Sequence, residues 1–413
     1  MTKTIVTAAA VGLWLAVAPP ANADDGNNFN LLLETRQGEN AHGTSALQAY
    51  RLQLDGIVEW NPQWKLKSSL VASNENQLDV GTYHEQPVHE LLLNYNGQAC
   101  TVNAGMQQVV WGQADRLRVL DVINPMNLRE SYFGSWEHKR LPLAMVNTEC
   151  GIGDNALQLL LIPQTRFNED PSPAGRFWTP GIAGLLANKG IPVQSTSLPS
   201  ESRPADWNAG IQWSGRLQNI DYTLNAYHGW QPEKQLAPIP GPIPQFQSQA
   251  ARYTLWGGSL TAPVGPLVAR AEATRASHVT VYGTNALGLP APADATQNTG
   301  LLALDYQAEP WFFNVQYFAQ DTSADLSPGI SGRQRMLTFG IRRSFLQDRG
   351  KVSLYSAYDI EHPASYLSLE TSYDLNQNLQ ASLTLENFDG SELSFGRFRR
   401  EKRAFVGLKY SLK

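Results

Sequence analysis

The residues best able to do chemistry crowd into 111–140, where Arg116, Arg118, Asp121, Arg129 and Glu130 follow Asp115 along the chain. They come after a strand-like run, 107–111, and a glycine, Gly112, and they are interrupted by Asn124-Pro125. Acids and bases spaced this way suit two tasks. Paired carboxylates, or a nucleophile beside a base, support hydrolysis. Fixed charges lining a narrow passage sort solutes by charge. Hydrolysis finds no second support. The seven histidines (His42, His84, His89, His138, His228, His278 and His362) fall mostly in links or at strand ends. There is no Gly-x-Ser-x-Gly run, no metal-ligand cluster and no thioredoxin or haem motif. The reading is therefore no enzyme, no cofactor and no metal, and the charged segment has to be understood from the elements that carry it.

Those elements belong to an exported chain. Lys3, the apolar run 5–17 and Ala21-Asn22-Ala23 form a signal peptide, 1–23, with cleavage expected after Ala23. No other run of about 18 apolar residues exists, so a spanning helix is excluded. A formal charge of −5 gives no basis for a nucleic-acid partner. With Trp 11, Tyr 15 and Phe 14 but only 17% charged residues, the composition is aromatic and weakly charged.

From about Phe29 onward, segments of roughly ten residues alternate apolar and polar, the period of a strand between two different environments. Leu379, Ala381, Leu383 and Leu385 share one face, and Gln380, Ser382, Thr384 and Glu386 the other. Alternation alone also fits a soluble sandwich. The links discriminate: short ones (61–63, 96–99, 151–155, 214–219, 262–266, 308–310, 346–350, 376–378) alternate with long ones (112–139, 168–205, 231–252, 278–298). Short periplasmic turns and long extracellular loops describe an outer-membrane barrel. The expectation is an all-β transmembrane antiparallel barrel of about eighteen strands over 24–413, with sixteen as the alternative, wide enough to hold water. Its location is the outer membrane.

The C-terminal run Gly407-Leu408-Lys409-Tyr410-Ser411-Leu412 resembles the terminal strand motif read by the barrel insertion machinery, which makes that machinery an expected partner. It departs from the motif at Phe405 and in the extra Lys413. Outer-membrane lipid and lipopolysaccharide, and a small-molecule solute, are the other expected partners; the oligomeric state stays open.

If the apolar face meets lipid, parity places Arg51, Asp55, Glu59, Lys65, Lys67, Arg270, Glu272, Asp305, Arg342, Asp359, Glu370 and Glu386 toward the lumen, where charge is cheap. The set is mixed in sign, so strong ion selectivity is not written in the strands. The charged segment then links the fifth and sixth strands at the extracellular rim. Its apolar residues Val119, Leu120, Val122 and Ile123 suit burial against the inner wall, leaving Arg116, Arg118, Asp121, Arg129 and Glu130 at a constriction. Cys100 and Cys150 flank the same loop at the periplasmic ends of neighbouring strands and are expected to form a disulfide in an oxidising compartment.

The run WGQADRLRVLDVINPMNLRE resembles a family of proteobacterial outer-membrane barrels of unknown function, and more distantly the alginate-export and substrate-specific porin barrels. Gly105, Trp111, Gly112, Asp121, Asn124, Pro125 and Leu128 carry the likeness. Met106 and Asn127 depart from it, where arginine and aspartate are common. The resemblance implies a barrel in the outer membrane and no particular solute. The function expected is passive diffusion of small polar or charged solutes; a surface-binding or scaffold barrel, or a barrel hydrolase, are the alternatives.

Overall fold

The computed structural model describes residues 28–40, 45–77, 81–129, 138–171, 177, 190–195, 199–239, 241, 245–284, 290–324 and 332–412. The expected signal peptide and Glu130 lie outside these residues. Alternating sequence becomes a closed 18-strand antiparallel barrel. In order, its strands are β1 (Asn28–Asn40), β2 (Ser45–Asn61), β3 (Trp64–Gln77), β4 (Val88–Asn96), β5 (Cys100–Gln107) and β6 (Leu143–Ile152). Then come β7 (Asn155–Ile162), β8 (Asn208–Leu217), β9 (Ile220–Trp230), β10 (Arg252–Val264), β11 (Leu267–Thr284) and β12 (Pro290–Ala308). The last are β13 (Trp311–Ser323), β14 (Arg333–Phe345), β15 (Gly350–Asp359), β16 (Ala364–Asp374), β17 (Leu379–Gly390) and β18 (Arg403–Leu412).

Closure is made by β18 against β1, from Leu31 opposite Leu412 to Asn40 opposite Arg403. It leaves no sheet edge, as hydrocarbon requires, because an unpaired backbone group there has no water to bond. A short piece, Gly81–Tyr83, prolongs the pairing of β3. Val193–Ser195, Gln235–Ile239 and Gln245–Gln249 form a separate small sheet among the long loops.

The barrel is inside out relative to a soluble protein. Leu302, Leu304, Val315, Tyr317, Leu337 and Phe339 point outward and are exposed, while their neighbours Asn314, Gln316 and Thr338 point inward and are buried. This is the pattern of strands that face hydrocarbon on one side and polar chain or water on the other. No helix among the described residues is long and apolar enough to cross a membrane.

One expected link is corrected. Residues 278–298 are not a long loop: β11 and β12 continue to Thr284 and Pro290, and their pairing resumes with Val279 opposite Ala295. The register shifts between Ala276 and Val279, where His278 takes a left-handed conformation with φ 59. This bulge breaks the alternation and hides the strand beyond it.

Cys100 lies directly opposite Cys150, and the two are joined as a disulfide with Cα atoms 4.0 Å apart. Peptide mapping without reductant is expected to recover the linked pair from folded, exported protein. Recovery of both thiols in freely alkylated form would contradict the pairing.

Candidate functional site

Residues 108–129 leave β5 and cross the inside of the barrel, and each stage of the crossing has its own anchor. Trp111 Nε1 donates to Gln158 Oε1 of β7 at 2.7 Å. The backbone N–H of Gln113 donates to the Glu272 carboxylate of β11, and that of Leu120 reaches the same carboxylate at 3.3 Å. Gln316 of β13, with no exposed surface, binds Asp115 twice. It accepts from the Asp115 N–H at 2.9 Å and donates to the Asp115 carbonyl at 2.9 Å. Arg116, left-handed at φ 56, lays its guanidinium 4.7 Å from the ring centre of Tyr355 on β15, across the ring from β6.

The return is held by Asn124, which is fully buried. Its Oδ1 accepts from the Val109 N–H at 2.8 Å, and its Nδ2 donates to the carbonyls of Leu141 at 2.8 Å and Gln107 at 3.4 Å. One side chain thus closes the base of the loop by bonding both flanking segments. Pro125 adds a carbonyl that accepts from the Leu141 N–H at 2.8 Å. Gly105 sits at φ 139, where an added Cβ would collide with the Leu91 carbonyl oxygen; only glycine lets β5 run this close to β4. Gly112 lies close to Asp121 too, though less tightly: the Asp121 backbone nitrogen would stand 3.0 Å from an added Cβ.

Apolar side chains weld the crossing to the wall. Trp111, Leu120 and Ile123 pack with Leu143, Leu160, Tyr227 and Leu255. Val119 packs with Phe318, Met336, Phe388 and Phe398. Each such burial contributes about 1.5–3 kcal/mol.

Beside the crossing lies a cavity of about 610 Å³, lined by Arg116 and Arg118, by Glu233 and Lys234 of the loop after β9, and by Tyr282 and Tyr355. Arg118 is fixed by bonds to the carbonyls of Asp121 (2.6 Å) and Asn124 (2.9 Å). Burial pushes the Glu233 carboxyl above its usual range, against the pull of Arg118. Across the barrel, burial likewise works to raise Glu85, but the hydrogen bonds and charges of His89 and Arg51 outweigh it and hold the carboxyl at about 2.

The expected constriction residues divide. Arg116 and Arg118 reach the cavity. Asp121 borders it, yet its carboxylate is buried against Arg140, 2.8 Å away, and acts as an internal clamp. Arg129 does not line this cavity and pairs instead with Glu75 of β3, 3.9 Å away. Past Pro125 the chain runs along the wall, bridging Asn127 to Glu169, and Arg129 stacks 3.4 Å from the ring centre of Tyr83.

The lumen-directed charges do not form one site either. Arg270 pairs with Asp305 (2.8 Å) and Asp115 (3.2 Å), beside Glu272 and under the crossing. Arg51 bonds Glu85 (3.0 Å) and Gln53 (2.5 Å), and Gln53 in turn bonds Asp55 (2.7 Å). Glu59 pairs with Lys65 at 2.9 Å, and Lys67 lies two residues on along the same face. Arg342 covers Phe312, Asp359 accepts from the His362 N–H at 3.1 Å, and Glu370 stands opposite Ser353. Glu386 takes Arg403 and the Tyr366 hydroxyl. Sequence reading missed Gln316 as an anchor and Lys234 and Tyr355 as cavity residues. Parity puts Gln316 inward, but nothing local says what it binds.

Comparison with solved structures covers nearly the whole chain. OccK2 (OpdF) of Pseudomonas aeruginosa, in complex with glucuronate, gives a TM-score of 0.53 at 11% identity, over 94% of this chain and 98% of that one. OccD3 (OpdP) of the same organism gives 0.51 at 11% identity, over 96% and 95%. The outer membrane protein OpdK, also from P. aeruginosa, gives 0.51 at 11% identity, over 94% and 98%. The fold is that of an outer-membrane barrel. No protein-family model and no curated protein matches the chain.

Proposed function

We propose that this chain is an outer-membrane channel for small polar or charged solutes, narrowed by residues 108–129. The observation that carries the reading is the double bond of Gln316 to the Asp115 backbone, because it ties an extracellular loop to the inward face of a distant strand. A loop held there reduces the open section of an otherwise wide barrel. Trp111, Gly112, Asp121, Asn124 and Pro125, the residues of the sequence resemblance, are on this reading its structural anchors, while Arg116 and Arg118 meet the solute. Paired cations beside Tyr355 and Tyr282 suit a solute with both charge and an apolar face. The glucuronate bound by OccK2 makes sugar acids the first members of a test panel. Planar-bilayer recording of refolded protein tests the proposal: discrete conductance steps support it. A silent bilayer containing folded barrel would favour the scaffold reading.

A further inference from the structure

The outward face of the barrel carries a groove across β10–β13. Register sets Gly258, Ala273, Gly300 and Ala319 side by side on these four strands. The row on their short-turn side includes Leu260, Leu302 and Tyr317, all exposed. Four small residues bounded by large apolar ones leave an apolar hollow of about 370 Å³. Facing hydrocarbon, such a hollow is filled by something apolar.

The charge beside it identifies the occupant. Two residues beyond Ala273 toward the long-loop end, Arg275 points outward and is exposed. Among the described residues it pairs with no carboxylate and only approaches the Asn298 amide oxygen, at 3.4 Å. Cationic side chains on a lipid-facing strand are costly near the bilayer midplane and tolerated toward the interface, where lipid anions can meet them. Further up, at the start of β10, Arg252 bonds the carbonyls of Ala205 and Trp207 and likewise has no carboxylate partner among the described residues. Trp256 lies directly opposite Arg275, an amphipathic ring at the same level. Arg275 is thus an exposed cation without a carboxylate partner among the described residues, while Arg252, farther up, is held by carbonyls and the Trp230 ring. An apolar groove under one such cation matches a lipid that joins acyl chains to phosphate.

We propose that this face docks lipid A, the phosphorylated acyl anchor of lipopolysaccharide, with an acyl chain along Gly258–Ala273–Gly300–Ala319 and a phosphate on Arg275. The proposal rests on the outer-membrane reading above. It is tested by native mass spectrometry of the full refolded chain with bisphosphorylated lipid A and, in parallel, phosphatidylethanolamine. Two variants probe the two halves of the site. Arg275→Gln removes the cation. Gly300→Leu fills the groove, and the backbone has room for it, since the nearest atom to an added Cβ is the Glu272 carbonyl oxygen at 3.8 Å. The parent is expected to prefer lipid A, and each variant to bind it roughly tenfold more weakly, with folding and conductance unchanged. Equal binding of the two lipids, or parent-like lipid A binding by both variants, overturns the docking site. So does a dimer that Gly300→Leu dissolves without affecting lipid A, because a second copy then fills the groove. A barrel that inserts and conducts but ignores lipid A defeats this inference and leaves the channel reading intact.

Discussion

Replacing Asn124 with alanine is expected to release residues 108–129 from the wall while the barrel stays closed. The amide makes three bonds to backbone groups of both flanking segments, all in the interior. Its loss leaves the Val109 N–H and the Leu141 and Gln107 carbonyls without that partner, at about 1–3 kcal/mol for each group left unpaired. None of the eighteen strands depends on these bonds for its ladder, so the penalty falls on the crossing alone. Local opening then becomes at least roughly tenfold more frequent. Hydrogen exchange at residues 109–123 would report the change, and trypsin would find Arg116 and Arg118. Parent-like protection in a folded variant would show that the apolar anchors Leu120 and Ile123 suffice by themselves.

The second large effect concerns charge. The double variant Arg116→Ala, Arg118→Ala is expected to move the channel toward cation selectivity by several-fold in the permeability ratio. At an effective dielectric of about 20, one charge acts on another 4 Å away by about 4 kcal/mol, so losing two cations from a confined cavity is felt strongly. Arg118 also braces the turn through the carbonyls of Asp121 and Asn124. Arg116→Ala on its own therefore isolates the electrostatic part, and Arg116→Lys should behave like the parent. Reversal potentials in a salt gradient measure the shift, which should shrink near 1 M salt as screening shortens to about 3 Å. An unchanged reversal potential in the double variant would place the solute path elsewhere.

The barrel was readable because each strand separates two environments, and a period of two records them residue by residue. Phe313, Val315 and Tyr317 could only face lipid if Asn314 and Gln316 faced inward. The readable pattern stops where a bulge resets it: at His278 the alternation fails, and the rest of β11 passes for loop. The crossing was legible as a loop with an apolar side, but its path was not. Its anchors, Glu272 and Gln316, lie more than a hundred residues away, and no local spacing encodes such a meeting. Asp121 and Arg129 show the cost of that gap. Both are charged and sit in the right segment, but Asp121 also holds Arg140, and Arg129 stacks on Tyr83 and pairs with Glu75. Asn124, which reads as a turn former before proline, turned out to be the tie at the base of the loop.

The most direct test of a channel narrowed from within is single-channel conductance of the parent beside a variant in which a short glycine-serine link replaces residues 113–123. Both proteins should first be shown to fold, by heat-modifiable gel mobility. The parent is expected to give small, discrete steps, and the variant steps at least about twofold larger, since conductance follows the open section of the pore. Equal conductance in the two proteins would mean that residues 108–129 do not bound the path that ions take.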